Sequence, residues 1–119
     1  MDGDSPENGA QFGVTPVARD GCHVLVLEGE LDRLEAPELE AAIDACADGL
    51  PVVVDLSSLT FIDSAGLHVL LRARDAGRPA ALVRAPGSNI DRVLEIVKVE
   101  SSLSIYDDLA AAVAGIGRS

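Results

Sequence analysis

Apolar residues recur along this chain in two rhythms. Between residues 22 and 28 they alternate, with Cys22, Val24 and Val26 on one face, the two-residue period of a half-buried strand. Phe12 to Ala18 gives an earlier strand, and Gly21 after Arg19-Asp20 marks a turn, so the two are expected to form a hairpin. From Ala36 the rhythm changes. Leu39, Ala42, Ile43 and Cys46 fall at i, i+3, i+4 and i+7, the apolar stripe of a helix that Pro37 can open and Gly49 stops. Val52, Val53 and Val54 then form a continuous β-branched run ending at Asp55, as expected of a central strand. Leu56 to Thr60 reads as a short polar turn. It leads through Phe61-Ile62 to a second helix from Ser64 to about Asp75, with Leu67, Leu70 and Leu71 at helical spacing and Gly77 and Pro79 as stop signals.

Ala80 to Arg84 is a further short strand, and Pro86-Gly87 turns the chain. Ser88 with Asp91 resembles a capping box, Asp standing for the usual Glu, ahead of a third helix carrying Ile90, Val93, Leu94 and Val97. Ser104 and Asp107 repeat that pattern before a fourth helix with Leu109, Ala112, Val113 and Ile116, closed by Gly117; a short strand or turn is expected between Glu100 and Ile105. The order β-β-α-β-α-β-α-α predicts one α/β domain over residues 12–117, a mixed four- to five-stranded sheet with about four helices, behind a flexible acidic tail over residues 1–11.

Composition narrows what such a domain does. Its 119 residues suffice for one modest core, and 48% hydrophobic content favours folding. Phe12, Phe61 and Tyr106 are the only aromatics, so the core is aliphatic. Nine basic residues against twenty acidic ones, a net charge of −11, argue against nucleic acid and against an anionic membrane surface, and favour a basic protein partner. No apolar run approaches the roughly 20 residues of a spanning helix, and MDGDSPENGA is no signal peptide, so a cytoplasmic location is expected. Cys22 and Cys46 each lie in an apolar segment and read as buried reduced thiols; a disulfide or metal role is the alternative, without a CxxC or Cys/His cluster to favour it.

Signals of catalysis are sparse. The chain has no phosphate-cradling glycine loop, no G-x-G-x-x-G after a strand and no G-x-S-x-G elbow. His23 reads as solvent-facing on its strand. His68 lies one helical turn from Ser64, but nothing implies an oxyanion site or substrate pocket. An enzyme is not expected, nor a cofactor or metal. Ser64 instead suits the N-cap of its helix, where a hydroxyl faces solvent and a phosphate is tolerated. Asp63 beside it stabilises a helix N-terminus by about 0.3–1 kcal/mol. A functional reading compatible with this is that Asp63 fixes the loop and marks Ser64 for a kinase.

The segments Val52-Val53-Val54-Asp55-Leu56 and Phe61-Ile62-Asp63-Ser64-Ala65-Gly66-Leu67 resemble the STAS domain of bacterial anti-sigma factor antagonists. Leu27-Glu28-Gly29-Glu30-Leu31-Asp32, Ala36-Pro37-Glu38-Leu39 and Ile105-Tyr106-Asp107-Asp108-Leu109 are similar to further family segments, in matching order over roughly residues 12 to 115. The resemblance implies a STAS fold and a partner switch. The unphosphorylated antagonist binds an anti-sigma factor that is also a serine kinase, freeing the sigma factor. Phosphorylation from Mg-ATP ends binding, and a PP2C-type phosphatase restores it. By position the phosphoacceptor is Ser64, and the partner-binding surface includes Asp32, Ser58, Thr60, Asp63, Ser64 itself and His68.

Ser57 and Ser58 are otherwise ordinary turn residues. Ala65 departs from the hydroxyl residue common in relatives, so no second acceptor competes. His68 stands where relatives often have Gly. At i+4 it shares a helix face with Ser64; it reads either as a solvated surface histidine or as a group whose proton affinity a phosphate on Ser64 would raise, the imidazolium partly shielding the anion. Another STAS role remains open: a stressosome-like scaffold, or a regulatory partner of a lipid-transport ATPase.

Overall fold

A computed structural model of the chain describes residues 12–19, 21–75, 81–96 and 104–116. The expected tail over residues 1–11, the stops Gly77 and Pro79, Val97 and the terminator Gly117 lie outside the described residues. In order the elements are β1 (Gly13–Arg19), β2 (Cys22–Leu31), α1 (Ala36–Asp44), β3 (Val52–Ile62), α2 (Ser64–Asp75), β4 (Ala81–Val83), α3 (Asn89–Ile96), β5 (Ser104–Tyr106) and α4 (Leu109–Ile116). The expected mixed α/β class is found.

β1 and β2 form the antiparallel hairpin, and β2, β3, β4 and β5 then follow side by side, all parallel. The three parallel connections step the same way across the sheet. Right-handed crossovers therefore place α1, α2 and α3 on one face. There Leu39 and Ile43 of α1, Leu70 of α2 and Ile90 and Leu94 of α3 meet Leu25, Leu27, Val54 and Leu82. On the opposite face Ala112 and Val113 of α4 cover Val24, Val53, Ala81 and Val83. Val52, Val53 and Val54 are thus sealed on both sides, which is why that stretch is apolar without alternation. Cys22 and Cys46 are buried in separate clusters, one on each face. His23 is half-buried, its Nε2 2.9 Å from both carboxylate oxygens of Asp48, joining the start of β2 to the loop before β3. The Leu50 amide and His23 hold Asp48 below the usual carboxylate range.

Two expectations change at β3. Leu56 to Thr60 is no turn: the strand runs on to Ile62, and β2 runs beyond Glu28 to Leu31 alongside it. The pairing slips twice, Val26 to Glu28 facing Asp55 to Ser58 and Gly29-Glu30 facing Leu59 to Phe61, so β3 carries one extra residue at each step. These bulges turn a period of two into a period of three, and Leu56, Leu59 and Ile62 all reach the same core. Each bulge is secured by a polar side chain. Buried Asp55 accepts from the Ser57 amide at 2.9 Å and the Ser57 hydroxyl at 2.7 Å. The Thr60 hydroxyl donates to the Gly29 carbonyl at 3.0 Å, and Gly29 has φ of 85°, a backbone that favours glycine.

The cap of α3 is as expected on one side, Ser88 Oγ accepting from the Asp91 amide at 3.1 Å. The Asp91 carboxylate reaches back to the Gly87 amide and to Arg84 Nη1, both at 2.8 Å, while Arg84 Nε donates to Asp107 at 2.9 Å. This cluster ties the end of β4 to α3 and to the β5–α4 loop. The α4 cap differs from expectation: Ser104 lies in β5, and Asp108 Oδ1 accepts from the Ala111 amide at 2.7 Å. Paired carboxylates hold Arg84 above its ordinary value, and the Gly87 amide, then Arg84, holds Asp91 below the carboxylate range. A carboxyl lowered by folding stabilises above its unfolded value, roughly pH 4, and loses that contribution as pH falls through its folded value. Asp91→Asn should therefore lower the melting temperature at pH 7, and the gap from wild type should narrow below about pH 4 in a thermal melt series.

Candidate functional site

The parallel strands β2 and β3 end at one edge of the sheet, and their exit loops meet through Asp63. The Asp63 amide donates to the Leu31 carbonyl at 3.2 Å. Its Oδ1 accepts from the Gly66 amide at 3.0 Å, and its carbonyl accepts from the Leu67 amide at 3.1 Å. Those two contacts make Asp63 the N-cap of α2. Ser64, expected in that role, is instead the first helical residue. Asp is the better cap here because its second oxygen does further work: Oδ2 accepts from the Arg33 amide in the β2–α1 loop at 3.2 Å.

That loop is built by another carboxylate. Asp32 Oδ1 accepts from the Leu34 and Glu35 amides at 3.0 and 3.3 Å, and its carbonyl accepts from Glu35 and Ala36 at 3.0 and 2.8 Å. Asp32 therefore acts on its own turn, a side-chain-closed turn that holds the next two residues outward. Leu34 is 76% exposed. Gly66 closes the arrangement from below: a Cβ on it would lie 2.8 Å from Leu31 Cγ and 3.0 Å from Ile62 Cγ1, so only glycine lets α2 start this close to the strand ends.

The Ser64 side chain is left exposed, with no hydrogen-bond partner among the described residues. It faces an open groove of about 440 Å³ between α1 and α2, lined also by Arg33, by His68 and Arg72 along α2 and by Glu40 on α1. Arg72 Nη2 donates to Glu40 Oε2 at 3.1 Å. Asp32, Asp63, Ser64 and His68 are thus brought together at this edge. Ser58 and Thr60 sit apart from the groove on β3, one opposite Glu28 and the other bonded to Gly29, both exposed.

Several surface residues here were not evident in the sequence. Arg33 and Leu34 reach the site only through the Asp32 turn, and Phe61, 47% exposed, is turned outward by the second bulge. Arg72 was within reach of sequence reasoning, since it lies one helical turn beyond His68. Among the described residues, no group of three or more His, Cys, Asp or Glu side chains is arranged to hold a metal ion.

The family model described as "Mlab, STAS domain" matches residues 14–105. The chain is 30% identical over 107 residues to the anti-sigma-F factor antagonist RsfB of Mycobacterium tuberculosis, covering 87% of this chain and 88% of that protein. A crystal structure of an anti-sigma factor antagonist from Mycobacterium paratuberculosis superposes with a TM-score of 0.82 at 28% identity, over 93% of this chain and 97% of the other. The anti-sigma factor antagonist SpoIIAA in its unphosphorylated form shares the fold, with a TM-score of 0.60 at 19% identity over 92% of this chain and 99% of its own.

Two substitutions test how the site is held. Asp63→Ala should cost about 1–2 kcal/mol through the lost cap and should speed amide exchange at both Gly66 and Arg33. Gly66→Ala sets a helix-propensity gain of about 1 kcal/mol against an overpacking cost of about 1–3 kcal/mol. Because Leu31 is fully buried, the clash should prevail, and urea unfolding should show net destabilisation.

Proposed function

The chain belongs to the STAS-domain family, and from that membership we propose that it is an anti-sigma factor antagonist switched by phosphorylation of Ser64. The observation that carries this reading is an unencumbered hydroxyl on the first residue of α2, presented at the sheet edge by a cap that does not use it. Two similar proteins named as anti-sigma factor antagonists support it over nearly their whole length. The partner is an anti-sigma factor that is also a serine kinase. It docks on the edge formed by the Asp32 turn, Ser58, Thr60, Asp63 and α2 as far as His68, with exposed Leu34 and Phe61 as apolar anchors. The setting is the cytoplasm; no described helix is long and apolar enough to cross a membrane.

In the transfer step Ser64 Oγ forms a bond to the γ-phosphorus of Mg-ATP, the bond from that phosphorus to the ADP oxygen breaks, and the hydroxyl proton leaves to a base on the kinase. The product adds about −1.5 to −2 of charge. The fold tolerates it, because the first turn of a helix favours anions. A docked interface does not, since the new charge would be desolvated there. A PP2C-type phosphatase removes the phosphoryl group by hydrolysis and restores binding.

The test is capture from native lysate with wild type and Ser64→Asp as separate baits. Wild type should retain an anti-sigma factor kinase, and Ser64→Asp should lose it while keeping a wild-type melting temperature. Equal capture of a transport ATPase or of scaffold proteins by both baits would replace this reading.

A further inference from the structure

We propose that the groove between α1 and α2 receives the Ser64 phosphate in cis, held by Arg33 and His68 with Arg72 behind them. The proposal rests on Ser64 being the phosphoacceptor. It adds a binding site on the same molecule for the group that switches it.

Charge is the first reason. The whole chain has nine Lys and Arg residues at a net charge of −11, yet Arg33, Arg72 and His68 line one groove together with the Ser64 side chain. Glu40 is the one carboxylate lining it among the described residues, and Arg72 already pairs with Glu40. Arg33 and His68 have no ion-pair partner among the described residues, whereas His23, Arg72 and Arg84 each do. Asp32 and Asp63, at the rim, direct their carboxylates to loop and helix amides. Arg33 and Arg72 against Glu40 leave one positive charge, or two with His68 protonated. That positive balance belongs to the lining side chains alone, Asp32 and Asp63 beside it keeping their own charges, and it has the sign a phosphoserine of roughly −1.5 to −2 requires.

Geometry decides which cations touch the phosphate. Along α2, His68 lies about 6 Å from Ser64 and Arg72 about 12 Å. Helical side chains lean towards the N-terminus, so His68 leans to Ser64 and Arg72 to His68. Arg33 starts from a backbone amide anchored to Asp63, the residue before Ser64. Arg33 and His68 are thus the direct holders, and Arg72 contributes field. Clamping draws Arg33 inward and constrains Leu34 next to it. Phosphorylation then restrains the Asp32 turn, part of the docking edge, as well as adding charge.

The full chain with phosphoserine placed at position 64 during translation, so that no kinase is required, tests this by phosphorus NMR titration. In wild type the second ionisation of the phosphate should fall about half a pH unit below that in the Arg33→Gln/His68→Gln variant, with single variants between. Added salt should shrink the gap. Identical titration curves in wild type and the double variant overturn the clamp. Failure of the antagonist reading has a different signature, equal capture of the kinase by wild type and Ser64→Asp, and would not alter these curves.

Discussion

Asp63 is the residue through which the end of the sheet carrying the candidate site is assembled. One carboxylate oxygen holds the first turn of α2, the other holds the β2–α1 loop, and the backbone amide closes onto the end of β2. Two stretches about thirty residues apart, the exit of β2 and the start of α2, are therefore fixed to each other by one residue. A glutamate is a longer arm and an asparagine has one acceptor oxygen instead of two, so neither supplies both contacts in the same way. The exposed Ser64 follows from this: because its neighbour satisfies the helix, its own hydroxyl is left for other chemistry.

Most of the fold was legible from spacing. The stripe Leu39, Ala42, Ile43 and Cys46 placed α1, and the valine run placed the central strand. The errors share a cause. Leu56, Leu59 and Ile62 recur every three residues, and an isolated three-residue period with serines between reads as a turn. Only pairing with β2, which supplies two register slips, makes it a strand. The caps failed in a related way. Ser64 and Ser104 were both acceptable by residue type, but the neighbouring Asp63 and Asp108 hold the amides. A local pattern does not say which of two adjacent cap formers faces the helix.

The candidate site was legible as far as its motif runs. Ser64, Asp63 and Asp32 lie in segments that resemble the family, His68 stands one residue beyond as a departure from it, and the structure gathers all four. Arg33, Leu34 and Phe61 carry no signal, because their outward placement is a product of the Asp32 turn and the second bulge. Charge also misled by averaging. A net value of −11 describes the molecule, yet the groove beside Ser64 is lined by more cationic side chains than anionic ones. Local electrostatics of this kind depends on which residues the helix faces share, and composition has no access to that.

The two outer strands have a consequence of their own. β1 carries Pro16, which gives no backbone donor, and β5 is three residues long, so both margins are poor templates for another strand. Sheet margins that resist extension leave copies of this chain without a ready template for strand-to-strand association, so each folded copy keeps its own surface to itself.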